Sequence, residues 1–220
     1  MTSCLGLYVE SNIIKYAKIS KDRDNLKVES FGLKFYDKLG EAIKQIISET
    51  YSFKVPVSIN LTDEVYNYFY MFSMLNKKDL KKAIETEYES YCTEKGLNKN
   101  AVDTRYALVN SLSDKDRVKV IHVAANKNNL NAIEQQLAEN KIAAISPIGM
   151  TIANIAKMKQ KENIAIINME DKTTITIIVN QKVYSVDTIE NGTSEVLDSI
   201  NTKENSYSKA YEICKNSTIY

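Results

Sequence analysis

Three strand-like segments in succession open this chain of 220 residues, and three more open its last third. Residues 4–10 (CLGLYVE) and 12–19 (NIIKYAKI) read as a β-hairpin turning at Ser11-Asn12, and a third strand follows at about 25–33. Strands at 163–169, 173–179 and 182–187 repeat the meander, so the chain contains two similarly begun units. Only two prolines and six glycines interrupt it, which predicts short connections and no flexible linker.

Between the meanders the period changes. Leu39, Ile43, Ile46 and Ile47 recur at helical spacing and predict an amphipathic helix over 37–50 that packs on the sheet. VPVSINL at 55–61 reads as a short buried strand, and VYNYFYMFSM at 65–74 as a half-buried one. A second module is expected from Asn76, with a helix through Leu80, Ile84 and Tyr88 and a hairpin of 104–112 and 117–125 around the turn SDKD. A helix over 128–140 presents Leu130, Ile133 and Leu137, and the strand IAAIS ends at Pro147, which completes an α-ββ-αβ unit. Helices are expected at about 148–158, 192–201 and 206–215, and the fold class is therefore α/β.

Chemistry is sparse. With 29 basic and 28 acidic residues the net charge is +1, so no global field favours nucleic acid or a membrane surface. Cys4, Cys92 and Cys214 form no CxxC pair, which argues against a disulfide framework or a zinc cluster and fits a reducing compartment. The start, MTSCLGLYVES, lacks the pattern of a signal peptide, and no window reaches the ~20 apolar residues that span a bilayer. The single histidine, His122, sits mid-strand between Ile121 and Val123 and reads as structural. No HExxH, GxSxG, DxDxDG or GxxxxGK[ST] motif occurs, so no catalytic residue and no metal ligand is assigned. Asp22/Asp24 and Asp114/Asp116 are read as turn carboxylates, and the Asn-x-Ser/Thr triplets at Asn60, Asn191 and Asn216 as chance. Among 14 tyrosines, Tyr66, Tyr68 and Tyr70 fall on one face of one strand; they mark either a subdomain seam or a partner groove, with Tyr106 as a further candidate.

Taken together, the order of elements resembles the actin-like (ribonuclease H-like) fold, and in particular the PilM family of cytoplasmic type IV pilus assembly proteins, relatives of FtsA. Gly6-Leu7-Tyr8-Val9-Glu10-Ser11-Asn12-Ile13-Ile14-Lys15 is similar to that family's first hairpin, G-x-D-I-G-S-S-S-V-K. HVAANKNNL resembles its V-A-A-K-x-x-x-V, and Ala210-Tyr211-Glu212-Ile213-Cys214-Lys215 its A-E-x-x-K helix. The resemblance implies a first actin-like subdomain at 1–75 continued by 147–160, an inserted FtsA-like subdomain at 76–146, and an incomplete second lobe at 161–220.

The departures from the family pattern carry the functional expectation. Tyr8 and Glu10 stand where the family has Asp and Gly in the first turn, and Asn168 and Glu170 replace them in the second. Glycine there lets backbone amides reach phosphate; two carboxylates repel it, at about 1 kcal/mol or more for each close contact. Gly192, after Asn191, stands where the family has a Gly-Gly turn against adenosine phosphate. No cofactor is therefore expected. The resemblance then implies a scaffold on the cytoplasmic face of the inner membrane, peripheral to it. It would grip the cytoplasmic segment of a PilN-like membrane protein between the first subdomain and the insert, near 77–92 and 104–125, alongside other pilus components. Two alternatives are kept. One is a nucleotide-dependent switch binding ATP weakly through Ser11, Asn12, Lys15 and Thr173; the other is the cytoplasmic actin-like domain of a GspL-like type II secretion protein.

Overall fold

A computed structural model describes residues 2–23, 25–158 and 162–217. Asp24 of the Asp22/Asp24 pair, the expected boundary at 160/161 and the chain end at 218–220 lie outside the described residues. The first half runs β1 (Thr2–Val9), β2 (Ile13–Asp22), β3 (Asn25–Phe35), α1 (Leu39–Glu49), β4 (Val57–Asn60), β5 (Val65–Phe72) and α2 (Lys77–Lys95). Then come β6 (Val102–Asn110), β7 (Arg117–Asn126), α3 (Lys127–Gln136), β8 (Ile142–Ser146) and α4 (Ile148–Met158). The last third is β9 (Ile164–Met169), β10 (Thr173–Val179), β11 (Lys182–Ile189), α5 (Ser194–Glu204) and α6 (Tyr207–Asn216).

The first sheet has the order β3-β2-β1-β4-β8, with β4 parallel to both β1 and β8. Alternation along β1 sends Leu5, Leu7 and Val9 to one face, where they meet Ala42, Ile43, Ile46 and Ile47 of α1. Each such side chain removed from water contributes about 1.5–3 kcal/mol, which fixes the helix on the sheet. Leu137 joins this core and Ile133 of α3 packs against it.

Pairing redraws the insert at both ends. Strand β5, expected within 1–75, pairs with β7 from Val65↔Ala124 to Phe72↔Arg117, and β8, expected within 76–146, pairs with β4 of the first sheet. The inserted sheet is β5-β7-β6 with α2 on one face, a β-α-β-β unit in place of the expected α-ββ-αβ. The reason lies in β7, where every residue from Lys119 to Ala125 is buried. A strand buried along its length needs partners for the backbone N–H and C=O groups on both of its edges; β6 supplies one edge and β5 the other. Asn76 begins α2 as expected, its side chain accepting from the backbone N–H of Lys78 and Asp79 at 3.0 Å. Asp114 holds its turn, accepting from the Asp116 N–H at 2.9 Å.

The second meander forms the sheet β11-β10-β9. Helix α4, expected to continue the first subdomain, packs on this sheet instead, with Ala153 and Ala156 against Ile178. Gly149 permits the approach: a Cβ there would lie 2.7 Å from Val186 Cγ2. Helix α6 returns toward the first sheet, where Tyr211 meets Phe35 edge-on at 5.7 Å between ring centroids. Among the described residues no helix is long and apolar enough to cross a membrane.

Candidate functional site

The site is built where the β1–β2 and β9–β10 turns face each other. Glu10, just past the end of β1, and Lys15 of β2 flank the first turn, and Glu170 and Asp171 stand in the second. Lys15 Nζ lies 2.8 Å from Glu10 Oε1 and 2.5 Å from Glu170 Oε2, one ammonium joining both turns. Beside it, the N–H and Oγ of Ser11 both donate to Asp171 Oδ2, the latter at 2.7 Å, and Asn168 Nδ2 donates to the Tyr8 hydroxyl at 3.0 Å. Burial pushes the Glu10 carboxyl up to about 7, with Lys15 pulling it down and Glu170 pushing it further up. Burial opposes the charge on Lys15, but the two carboxylates outweigh it and hold its pKa above the ordinary lysine value.

Both turns are anchored from behind. Asn60 at the end of β4 accepts from the Val9 N–H at 2.6 Å and donates to the Val9 and Leu61 carbonyls at 3.0 Å, while the Tyr36 hydroxyl donates to the Glu10 carbonyl. The second turn is held by the start of α5: the Thr193 N–H donates to the Glu170 carbonyl at 2.6 Å, and Ser194 Oγ to that of Asp171 at 3.1 Å. Gly192 lies against the same carbonyls, where a Cβ would clash with the Glu170 oxygen and lie only 2.5 Å from the Asp171 oxygen. Thr173 donates to the Asn191 carbonyl at 2.8 Å. Asn12, at the first turn, adjoins Tyr207 of α6.

Alongside the joined turns runs a cleft of about 720 Å³, walled by the first sheet, by β5 and the β4–β5 link of the insert, and by β10 and β11. The expected walls at 77–92 and 104–125 do not line it; Val65, Tyr66 and Tyr68 do. The four candidate tyrosines do not share one surface. Tyr66 and Tyr68 pack at the seam with Met150, Val183 and Tyr184, and the Tyr68 hydroxyl donates to the Val186 carbonyl at 2.6 Å and accepts its N–H at 2.7 Å. Tyr70 continues that face but is 47% exposed. Tyr106 pairs with His122 on the opposite face, the one α2 covers. His122 itself is buried 4.1 Å from the Tyr88 ring centroid, and burial lowers its pKa to about 4.

No protein-family model matches the chain, and no curated protein matches it in sequence. Solved structures do. The chain is similar to one from a PilM-PilN type IV pilus biogenesis complex at 15% identity and TM-score 0.74, over 97% of this chain and 69% of that one. The fold is actin-like. The cytoplasmic domain of EpsL, an inner membrane component of the type II secretion system of Vibrio cholerae, matches at 12% identity and TM-score 0.61, over 89% of this chain and 74% of that one. The ethanolamine utilization protein EutJ from Carboxydothermus hydrogenoformans matches at 11% and 0.51, over 98% and 62%.

In an actin-like chain the two facing turns are where a nucleotide's phosphates and metal would sit, so the residues present can be tested against that group. They do not fit it. The turns present Glu10, Glu170 and Asp171, and the gap between them is spanned by Lys15 and by Ser11 in direct side-chain contact. Carboxylates in contact with a polyphosphate repel it, and a phosphate entering here would first have to displace the lysine bridge. Sequence reasoning found Glu10, Lys15 and Glu170 but missed Asp171, Asn60 and Tyr36. Asp171 had a usable signal, since it shares a turn with Glu170; Asn60 and Tyr36 act through contacts distant in sequence.

Proposed function

We propose that this actin-like chain is a non-catalytic scaffold of type IV pilus assembly at the cytoplasmic face of the inner membrane. It holds the cytoplasmic segment of a PilN-like membrane protein in the cleft between its first sheet and the insert. The observation that carries this reading is the Glu10–Lys15–Glu170 bridge, which sets two carboxylates and a lysine across the facing turns in the lining of a cleft that is otherwise open. The similarity in fold to a chain from a PilM-PilN complex supports the choice of partner. A segment laid in such a cleft gains affinity from backbone hydrogen bonds and a few apolar anchors.

Titrating the purified chain with the cytoplasmic peptide of the PilN-like protein encoded beside it tests the proposal. Saturable binding is expected, and no binding at high micromolar peptide refutes it. Calorimetry with ATP and magnesium tests the non-catalytic half: a dissociation constant tighter than about 100 μM, or ~5.5 kcal/mol, would restore the nucleotide switch. A second reading, a GspL-like domain of a type II secretion system, is favoured by the match to EpsL. A transmembrane helix encoded directly after the domain would select it.

A further inference from the structure

We infer that the free edge of the first sheet is a self-association surface, where β3 pairs antiparallel with β3 of a second copy of this chain about a two-fold axis at Gly32. The cleft and whatever fills it play no part in this contact. Strand β3 is eleven residues long and closes one end of the sheet, with β2 as its strand neighbour among the described residues. No proline interrupts it, and it carries Phe31 at 78% and Leu33 at 38% exposure. Soluble proteins ordinarily blunt such an edge, because its unpaired N–H and C=O groups template a further strand. The backbone fixes which groups are free. The Tyr36 N–H donates to the Asn12 carbonyl at 3.1 Å, and an antiparallel ladder alternates, so Lys34 and Gly32 also turn their N–H and C=O groups toward β2. Phe31 and Leu33 therefore turn theirs outward. Centring the joint on Gly32 sets Phe31 of each copy opposite Leu33 of the other, and the outward groups of both residues gain partners.

Side chains agree with that register. Phe31 and Leu33 pair with Ala17 and Lys15 and so lie on the sheet face away from α1, where each exposed ring meets an aliphatic side chain across the joint. On the α1 face, Ser30 and the bulged Glu29 of one copy come against Lys34 of the other. Glu29 is paired with Lys18 at 3.2 Å and Lys34 with Glu49 at 2.6 Å, so the contact completes a row of alternating charge, Lys18–Glu29–Lys34–Glu49, whose last two members belong to the second copy. Gly32 suits the axis: Tyr16 lies over it, and a Cβ there would sit 2.7 Å from the Tyr16 hydroxyl, so two bare backbones meet beneath aromatic rings. Centring on Phe31 would instead set the bulge against Leu33, and centring on Leu33 would bring in Phe35, which Tyr211 already covers.

The test is sedimentation equilibrium of the full chain from about 5 to 500 μM, beside the variants Leu33→Pro and Phe31→Lys. One short strand overlap makes a small interface, so a dimer dissociating in the range of about 10–500 μM is expected. Leu33→Pro removes an outward N–H and leaves the bonds to β2 in place, while Phe31→Lys sets a charge against the apolar joint. Each should weaken the dimer at least about tenfold while the melting temperature stays within about 3 °C of wild type. Amide hydrogen exchange followed by NMR reads the register in the unaltered chain. Between about 50 μM and about 1 mM, exchange at Phe31 and Leu33 should slow at least about fivefold, while Gly32 and Lys34 stay equally protected. A monomer at about 500 μM, a dimer that either variant leaves intact, or exchange at Phe31 and Leu33 that ignores concentration overturns the inference.

Discussion

Replacing Lys15 with methionine removes the cation between two carboxylates that the fold holds together, and the cost should depend on pH in a defined direction. Across the 2.8 Å separating Lys15 Nζ from Glu10 Oε1, the attraction runs from about 1.5 kcal/mol at the dielectric constant of water to about 6 kcal/mol at an effective value of 20. The lysine side chain is 36% exposed, so screening brings the net value toward the lower end, about 2 kcal/mol. Its contact with Glu170 adds roughly 0.5–1 kcal/mol, discounted in the same way because Glu170 is 22% exposed. The sign follows from Glu10, whose carboxyl is raised to about 7 in the folded chain from 4.5. The folded state therefore binds a proton that the unfolded state lacks between those values, and stability falls as pH rises through that window. Without Lys15 the carboxyl rises further and the window extends upward. At pH 8.5 Lys15→Met should lose about 2–3 kcal/mol, read from urea unfolding monitored by tyrosine fluorescence and far-UV circular dichroism. At pH 5.5, with Glu10 protonated in both proteins, the loss should shrink to about 1 kcal/mol or less. A loss below about 0.5 kcal/mol at both pH values, or the same loss at both, would refute the bridge as the element joining the turns.

Two further perturbations probe the supports of the site. Gly192→Ala places a methyl against the Glu170 and Asp171 carbonyls, which are backbone and cannot move aside, so about 3 kcal/mol should be lost and the melting temperature should fall by about 6–12 °C in a thermal scan. His122, lowered to about 4 by burial from 6.5, gives stability that is whole above pH 6.5 and lost as pH falls toward 4, roughly 3 kcal/mol in all. His122→Phe should abolish that part of the acid sensitivity when unfolding free energies of the two proteins are compared between pH 7 and pH 4.

Elements whose evidence is local were legible in the sequence. The 37–50 helix is α1 at Leu39–Glu49 because its four apolar positions share one face, and the first hairpin turns at Ser11-Asn12 because the alternation on either side allows one register. Membership of a sheet was not legible. Strand β5 finds β7 some fifty residues on, and β8 finds β4 more than eighty residues back, and neither strand's own residues specify the partner. The tyrosines show the same limit. Period-two alternation placed Tyr66, Tyr68 and Tyr70 on one face, but only the register of β6 on β7 puts Tyr106 on the other.

By itself the sequence determined two lobes opened by meanders, a helix covering the first sheet, and carboxylates at Glu10 and Glu170 where an actin-like chain has glycine. Each follows from side-chain pattern or residue identity along a short stretch. Tertiary structure decided how those carboxylates behave. It set Lys15 between Glu10 and Glu170, groups about 160 positions apart in sequence, so that one ammonium bridges both carboxylates where they line the cleft. Coulomb energy depends on distance in space, and chain separation says nothing about that distance until the sheets have packed.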